Sequence, residues 1–329
     1  MSDYGVGVVC TTYNQVGYIR QCLDSLVSQV TSFPYKVIVH DDASNDGTAE
    51  IIREFEINYP NIVIPIFQPE NIYSRGISYR TYTDPFLLDC EYVALCEGDD
   101  WWLSVHKLQR QYEYMEAHPE CTLCTHNVRI FDEKADRFIG ETPGCSNDSD
   151  FGVSETIEKG GGYFGTNSMF YRTRDRQKPE EFCNWGVGDY PTAIWLASLG
   201  YVHCLHETMS AYRKNALGSW TSNNKTSYYK SKKATLNIIR GLEQIDEYFR
   251  FAYSDSFEVA INRQHDNITW EKLSRSFYKS DDACEQISKD EWRSFLKRQS
   301  VRDSLSAIVK KHCPWLGAIM SRYWKSKVK

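Results

Sequence analysis

No apolar run in this 329-residue chain approaches the ~20 residues that a membrane-crossing helix needs. The opening Met1-Ser2-Asp3 has no basic segment leading into an apolar one, the mark of a secretory leader. Both absences set the expectation of a cytoplasmic protein. Also missing is a glycine series after the first strand, where the chain reads Thr11-Thr12-Tyr13-Asn14 instead. A nicotinamide or flavin dehydrogenase needs that series for its phosphates, and a nucleotidyltransferase needs a Gly-rich loop with Lys or Arg, so both classes are disfavoured. Positive charge is in deficit: 38 Lys and Arg stand against 44 Asp and Glu, a net charge of -6, which speaks against a dedicated nucleic-acid binder. The 11 cysteines are an odd number scattered along the chain. Cys10, Cys90, Cys96 and Cys204 lie inside apolar strand-like runs, and reduced, buried thiols follow.

What is present alternates between two periods. Val6–Cys10 reads as a buried strand, and Ile19, Cys22, Leu23, Leu26, Val27 and Val30 then recur at helical spacing. Lys36–His40 is strand-like, Ile51, Ile52, Phe55 and Tyr59 form a helical stripe, and Ile62–Phe67 and Tyr92–Cys96 are strand-like again. Parallel neighbours need crossovers, and right-handed crossovers place helices on the sheet faces. The expectation is an α/β fold with a Rossmann-like, mostly parallel sheet flanked by helices over residues 1–130. Thr142–Gly162, with Pro143, Gly144 and Gly160-Gly161-Gly162, reads as an exposed loop that orders on ligand binding. Beyond Asn223 the apolar residues Leu236, Ile239, Leu242, Ile245 and Phe249 keep helical spacing, so a helical C-terminal region is expected.

Ligands of parallel α/β sheets bind at the carboxyl ends of strands. Those ends are polar here: Thr11-Thr12-Tyr13-Asn14, then Asp41-Asp42-Ala43-Ser44-Asn45-Asp46-Gly47-Thr48, then Glu97-Gly98-Asp99-Asp100-Trp101-Trp102. Tyr13 can stack on a base and Asp42 can accept from a base N–H, while Asp46 and Thr48 suit the start of a helix. Glu97, Asp99 and Asp100 crowd negative charge at one strand end. A divalent cation would offset it and would also neutralise a diphosphate.

In these motifs the chain resembles glycosyltransferase family 2, whose catalytic domain has the GT-A fold of nucleotide-diphospho-sugar transferases. The resemblance runs from Val6 to Ser222. It implies a catalytic domain over 1–222, a helical region over 223–329, and a metal-dependent, inverting glycosyltransferase taking a nucleotide-diphosphate sugar as donor. Its acceptor would be a hydroxyl on a glycan or lipid-linked partner, and its common setting is cell-surface polysaccharide or glycan synthesis. By the same resemblance Thr11, Tyr13 and Asp42 would hold the nucleoside, Arg80 would sit near base or phosphates, and Glu97, Asp99 and Asp100 would meet the nucleotide sugar. Asp99 and Asp100 would bind Mg²⁺ or Mn²⁺. Gly165-Thr166-Asn167-Ser168 looks like the acceptor-side segment, so Asn167, Ser168 and Trp101 become acceptor-side residues. Gly188-Asp189-Tyr190-Pro191 looks like the segment of the catalytic base, assigned to Asp189, although Asp189 also suits a helix start.

The chain departs from the family at Glu97, where many members have Asp. It departs again after Ala211-Tyr212-Arg213, where Lys214-Asn215 replaces a His, and Lys214 or Arg213 would then neutralise diphosphate. These departures keep open a second reading, a catalytically inactive nucleotide-sugar-binding module. His203 and His206 alternate with Val202, Cys204 and Leu205 and read as core or edge residues. Residues 301–329 hold 7 Lys or Arg against the single acid Asp303. Trp315, Leu316, Ile319, Met320, Tyr323 and Trp324 fall at helical spacing among them. Two readings of this tail stand: an interfacial helix on the inner face of the cell membrane, or a helix docked on protein.

Overall fold

The structure is a computed structural model that describes residues 4–183, 185–217, 227–277 and 285–312. The chain divides into two compact units, Met1–Ser222 and Asn223–Lys329.

The first unit is built on β1 (Tyr4–Thr12), α1 (Ile19–Val27), β2 (Tyr35–Asp41), α2 (Thr48–Asn58), β3 (Val63–Phe67), α3 (Arg80–Thr83) and β4 (Cys90–Glu97). It continues with β5 (Trp101–Trp102), α4 (Lys107–Ala117), β6 (Cys121–Asp132), β7 (Arg137–Thr142), β8 (Ser149–Phe151), α5 (Val153–Lys159), β9 (Phe170–Arg172), α6 (Asp189–Leu199) and β10 (Tyr201–Lys214). Eight strands run in the order β3-β2-β1-β4-β9-β6-β10-β5, with β7 beside β6 and β8 beside β10. The β3-β2-β1-β4 half is parallel throughout, as its helical crossovers require. The short β9 enters antiparallel between β4 and β6, and β6 pairs in parallel with β10.

Successive β1 residues feed opposite cores, as the period of a strand demands. Val6, Val8 and Cys10 pack with Ile19, Cys22, Leu23 and Leu26 of α1 and with Leu108 and Met115 of α4. Val9 joins Val93 and Leu95 against Ala193, Leu196 and Ala197 of α6. Leu23 and Leu26 are fully buried, so truncating either to Ala costs ~2–5 kcal/mol.

The nine cysteines among the described residues are free, and all but Cys145 and Cys183 are buried. Cys22 Sγ lies 3.8 Å from Cys10 Sγ and 3.9 Å from Cys96 Sγ, a packed thiol trio behind the strand ends. Cys121 and Cys124 have the two-residue separation of metal or redox pairs, yet both sit buried in β6. Burial raises both thiols, to about 12 for Cys121 and well above the usual value for Cys124, so they are protonated and inert at neutral pH.

The Thr142–Gly162 segment corrects the expectation of a loop awaiting ligand. It contains β8 and α5, with Phe151, Thr156 and Ile157 buried. Asn127 grips it from below, accepting from Cys145 N at 2.8 Å and donating to Cys145 O at 2.7 Å. His203 and His206 on β10 bind it from the side, their Nδ1 atoms 2.6 Å from Asp150 Oδ1 and Asp148 Oδ1. The glycine-rich composition hid a strand and helix whose stability comes from these distant partners.

The second unit is helical: α7 (Tyr228–Tyr248), α8 (Ser254–Phe277), α9 (Lys289–Arg298) and α10 (Val301–His312). Ile239, Leu242 and Ile245 form the buried stripe of α7, and Leu273, Phe295 and Ala307 tie α8, α9 and α10 together. Ser288 caps α9 by accepting from Glu291 N at 3.1 Å. Among the described residues no helix is long and apolar enough to cross a membrane. The aromatic stripe Trp315–Trp324 lies outside the described residues.

Candidate active site

Register decides what meets at the edge of the sheet. Thr12 stands beside Asp41, and Thr11 beside Glu97, so three polar strand ends finish level with one another. Asp42 N donates to Thr12 O at 3.0 Å, and Gly98 N to Thr11 O at 2.9 Å, extending both pairings past the strands. A β-carbon on Gly98 would stand 2.5 Å from Gln15 Oε1 and 2.8 Å from Thr12 Cβ, so a side chain here would displace Gln15 and Thr12.

On the β1–β2 side, Asp46 Oδ2 accepts from Val16 N at 3.0 Å and its Oδ1 from Thr48 N at 3.0 Å, fastening the two loops at the start of α2. Asp42 is 6% exposed. Its two carboxylate oxygens accept from Ile72 N at 2.7 Å and Tyr73 N at 3.1 Å, which fixes its orientation. Tyr13 is 43% exposed and presents an aromatic face to solvent at these strand ends.

On the β4 side, Asp100 is the keystone. It is 2% exposed, and its Oδ1 accepts from Arg213 N at 2.8 Å while its Oδ2 accepts from Asn167 Nδ2 at 2.8 Å. Asn167 also donates to Ala211 O at 2.9 Å and accepts from Ser210 at 2.9 Å, so its amide is fully used. Arg213 donates from Nε to Asp99 O at 2.9 Å, from Nη1 to Glu133 at 2.6 Å and from Nη2 to Gln21 at 2.6 Å. Its guanidinium lies over the Trp101 and Tyr18 rings at 4.6 and 4.7 Å. β10 thus locks the acidic turn from both its backbone and its side chain.

The carboxylates here resist ionisation together. Burial first, then Asp99 and Glu97, push the Asp100 carboxyl well up, against Arg213. Burial likewise raises Glu97, with Asp99 and Asp189 adding to it, and raises Asp99, against Gln15 and Arg213. Asp189, half-buried, opens α6, and its Oδ1 accepts from Tyr190 N at 2.8 Å. Crowded, desolvated carboxyl groups of this kind accept a cation readily, which fits a hard divalent ion. Among the described residues no group of three or more His, Cys, Asp or Glu is placed to hold a metal ion. A magnesium-type ion needs none, since one or two carboxylates suffice when substrate phosphates and water complete the shell.

Several residues singled out from the sequence sit where their chemistry is already committed. Asn167 is a brace for Asp100, and Ser168 is wholly buried with its hydroxyl on Gly165 O at 2.7 Å, so neither offers a group to an acceptor. Trp101 is 9% exposed, edge-on to Phe131 and beneath Arg213. Arg213 is spent inside the site and is not free to neutralise diphosphate. Arg80, on α3, bonds Asp84 at 3.3 Å and Arg176 O at 2.7 Å. The bracing roles of Asn167, Arg213, Gln15 and Gln21 were not legible, because none is written in the residues adjacent to the motif. Asn167→Ala would strand Asp100 Oδ2 and Ala211 O without a donor, and the expected loss of stability is ~2 kcal/mol in urea denaturation; an unchanged midpoint would refute the bracing role.

These features set a class, and comparison with known proteins places the chain within it. Residues 7–219 match glycosyl transferase family 2, and the chain belongs to that family. An uncharacterised protein of Mycobacterium tuberculosis is 36% identical over 217 residues, 66% of this chain and 61% of that protein. The match thus spans about three fifths of that relative's length. A poly(ribitol-phosphate) beta-glucosyltransferase of Bacillus spizizenii is 35% identical over 115 residues, 34% of this chain and 17% of that protein. Among solved structures, a mannosyltransferase of Pyrobaculum calidifontis in complex with GDP-Man and Mn²⁺ superposes with a TM-score of 0.54 at 14% identity, covering 99% of this chain and 84% of that one. The fold is the GT-A fold.

Proposed function

We propose that this chain is a metal-dependent, inverting glycosyltransferase that moves a sugar from a nucleoside-diphosphate sugar to a hydroxyl of a glycan or lipid-linked acceptor, in cell-surface polysaccharide or glycan synthesis. The observation that carries this reading is the level ending of β1, β2 and β4. It brings a free aromatic face, a fixed carboxylate and an acidic turn to one edge, with Asp189 acting electrostatically on Glu97 across it. Thr11, Tyr13 and Asp42 hold the nucleoside, Tyr13 by stacking and Asp42 by accepting from the base. Arg80 offers charge to the phosphates if it exchanges Asp84 for them.

Asp99 would hold Mg²⁺ or Mn²⁺ directly, with Asp100 behind it, and the bound ion would neutralise charge gathering on the leaving diphosphate. Asp189 takes the acceptor hydroxyl proton as the oxygen attacks the anomeric carbon from the face opposite the diphosphate, which inverts that centre. The Mn²⁺ of the Pyrobaculum neighbour supports the metal assignment. The proposed place of work is the cytoplasm, at the inner face of the cell membrane if the basic tail docks there.

Incubation with a panel of nucleotide sugars, read as released nucleoside diphosphate, tests the reading. One donor should be hydrolysed slowly with Mn²⁺ or Mg²⁺, and EDTA should abolish release and excess metal restore it. Binding of donors with no release under any metal condition would leave a catalytically inactive nucleotide-sugar-binding module instead.

A further inference from the structure

Lys178 lies in the segment between β9 and α6, half-buried. Its Nζ donates to Thr192 Oγ1 at 2.8 Å. Thr192 belongs to the first turn of α6, with its own hydroxyl on Gly188 O at 2.7 Å, so the ammonium is fixed beside the turn that begins with Asp189. This is the unfavourable end of a helix for a cation, because the free N–H groups there already carry partial positive charge.

The surroundings sharpen the conflict. Burial draws the Lys178 ammonium down to about 8, Arg80 and Arg176 push in the same direction, and Cys183 and Asp189 oppose them. Arg80 and Arg176 share a single carboxylate, Asp84, at 3.3 and 2.7 Å. Asp189 acts on Lys178 in the stabilising direction, and Lys178 Nζ is held on the turn that Asp189 begins. The dependence is mutual: burial raises the Asp189 carboxyl, and besides backbone N–H groups it is Lys178 that lowers it. Glu97, from the end of β4, is the acidic group that feels Asp189 from the other side.

We propose that Lys178 is a positioning residue for the base: clamped to Thr192 on the first turn of α6, it sets a fixed ammonium beside Asp189 and keeps that carboxylate charged. The proposal rests on the transferase reading above and deepens it. A general base must be ionised at the pH at which it works.

The test compares the pH profile of kcat/KM for wild type, Lys178→Met and Lys178→Arg. In Lys178→Met the acid limb should move up by about one pH unit, so the loss at pH 6 exceeds the loss at pH 8 by up to ~10-fold. Lys178→Arg should keep the wild-type limb, and affinity for UDP and GDP should be the same in all three proteins. An acid limb common to wild type and Lys178→Met, or an equal loss at every pH, overturns the proposal. If wild type turns over no donor, the transferase reading itself fails. The Asp189 carboxyl titration, followed by ¹³C NMR, then decides: a higher midpoint in Lys178→Met upholds the coupling, and coincident curves overturn it.

Discussion

Asp189→Asn lowers kcat by ~10²- to 10⁴-fold while donor affinity stays at the wild-type level. Asn matches Asp in shape, and its carbonyl can still accept from Tyr190 N, the 2.8 Å bond that opens α6. The substitution therefore removes proton acceptance and spares the helix start, which separates the two roles that the sequence left open for this residue. Single-turnover release of nucleoside diphosphate, beside calorimetric binding of the donor, is the measurement. A variant with undiminished transfer would return Asp189 to a helix-opening role and send the search for the base elsewhere. A variant that loses donor binding as well would mean that Asp189 belongs to the donor pocket.

A second large effect is expected on stability. Lys107 is fully buried on α4, with Nζ donating to Gln111 Oε1 at 2.7 Å and lying 4.1 Å from the centre of the Trp102 ring. Burial lowers it from 10.5 to about 7, against small opposing effects of Cys96 and Cys124. The folded chain thus releases this proton near pH 7, whereas the unfolded chain keeps it to 10.5. Between those limits the unfolded state binds more protons, so stability rises with pH there and falls as pH drops through the folded value. Lys107→Met fills the same space without the charge, at the expense of one unpaired Gln111 oxygen. The expected result is a gain of about 2 kcal/mol at pH 6 that shrinks steadily toward pH 9. Urea denaturation of both proteins across that range reads the difference, which cancels the titration of other groups. A difference independent of pH would mean that Lys107 keeps its proton in the fold.

The parallel half of the sheet was legible because its signals are local. Val6–Cys10 and Tyr92–Cys96 are short apolar runs that end abruptly in polar residues, and the structure ends β1 and β4 within two residues of those limits. The antiparallel insertion of β9 was not legible. Phe170–Arg172 is three residues long and carries no period of its own, and its place is dictated by Val93 on one side and Cys124 on the other. In the candidate site the motif residues could be named, but their surroundings could not. Asp100 and Arg213 are separated by 113 positions, and Asn167 reaches Asp100 across 67. A side chain whose partners lie that far away looks in sequence like any polar residue. That is why sequence alone turns Asn167 toward an acceptor and Arg213 toward a phosphate, while the structure shows both bonded to the acidic turn.

The same separations order events during synthesis. β1, β2 and β4 can pair once the first ~100 residues have left the ribosome, so the strand ends that carry Tyr13 and Asp42 assemble early. The acidic turn cannot settle until β10 arrives with Arg213, because both the backbone and the guanidinium of that residue are its fasteners. A nascent chain would acquire the Tyr13 and Asp42 side of the site before Asp99 and Asp100 are fixed. If the proposed function holds, competence to hold a complete donor comes only when β10 is in place.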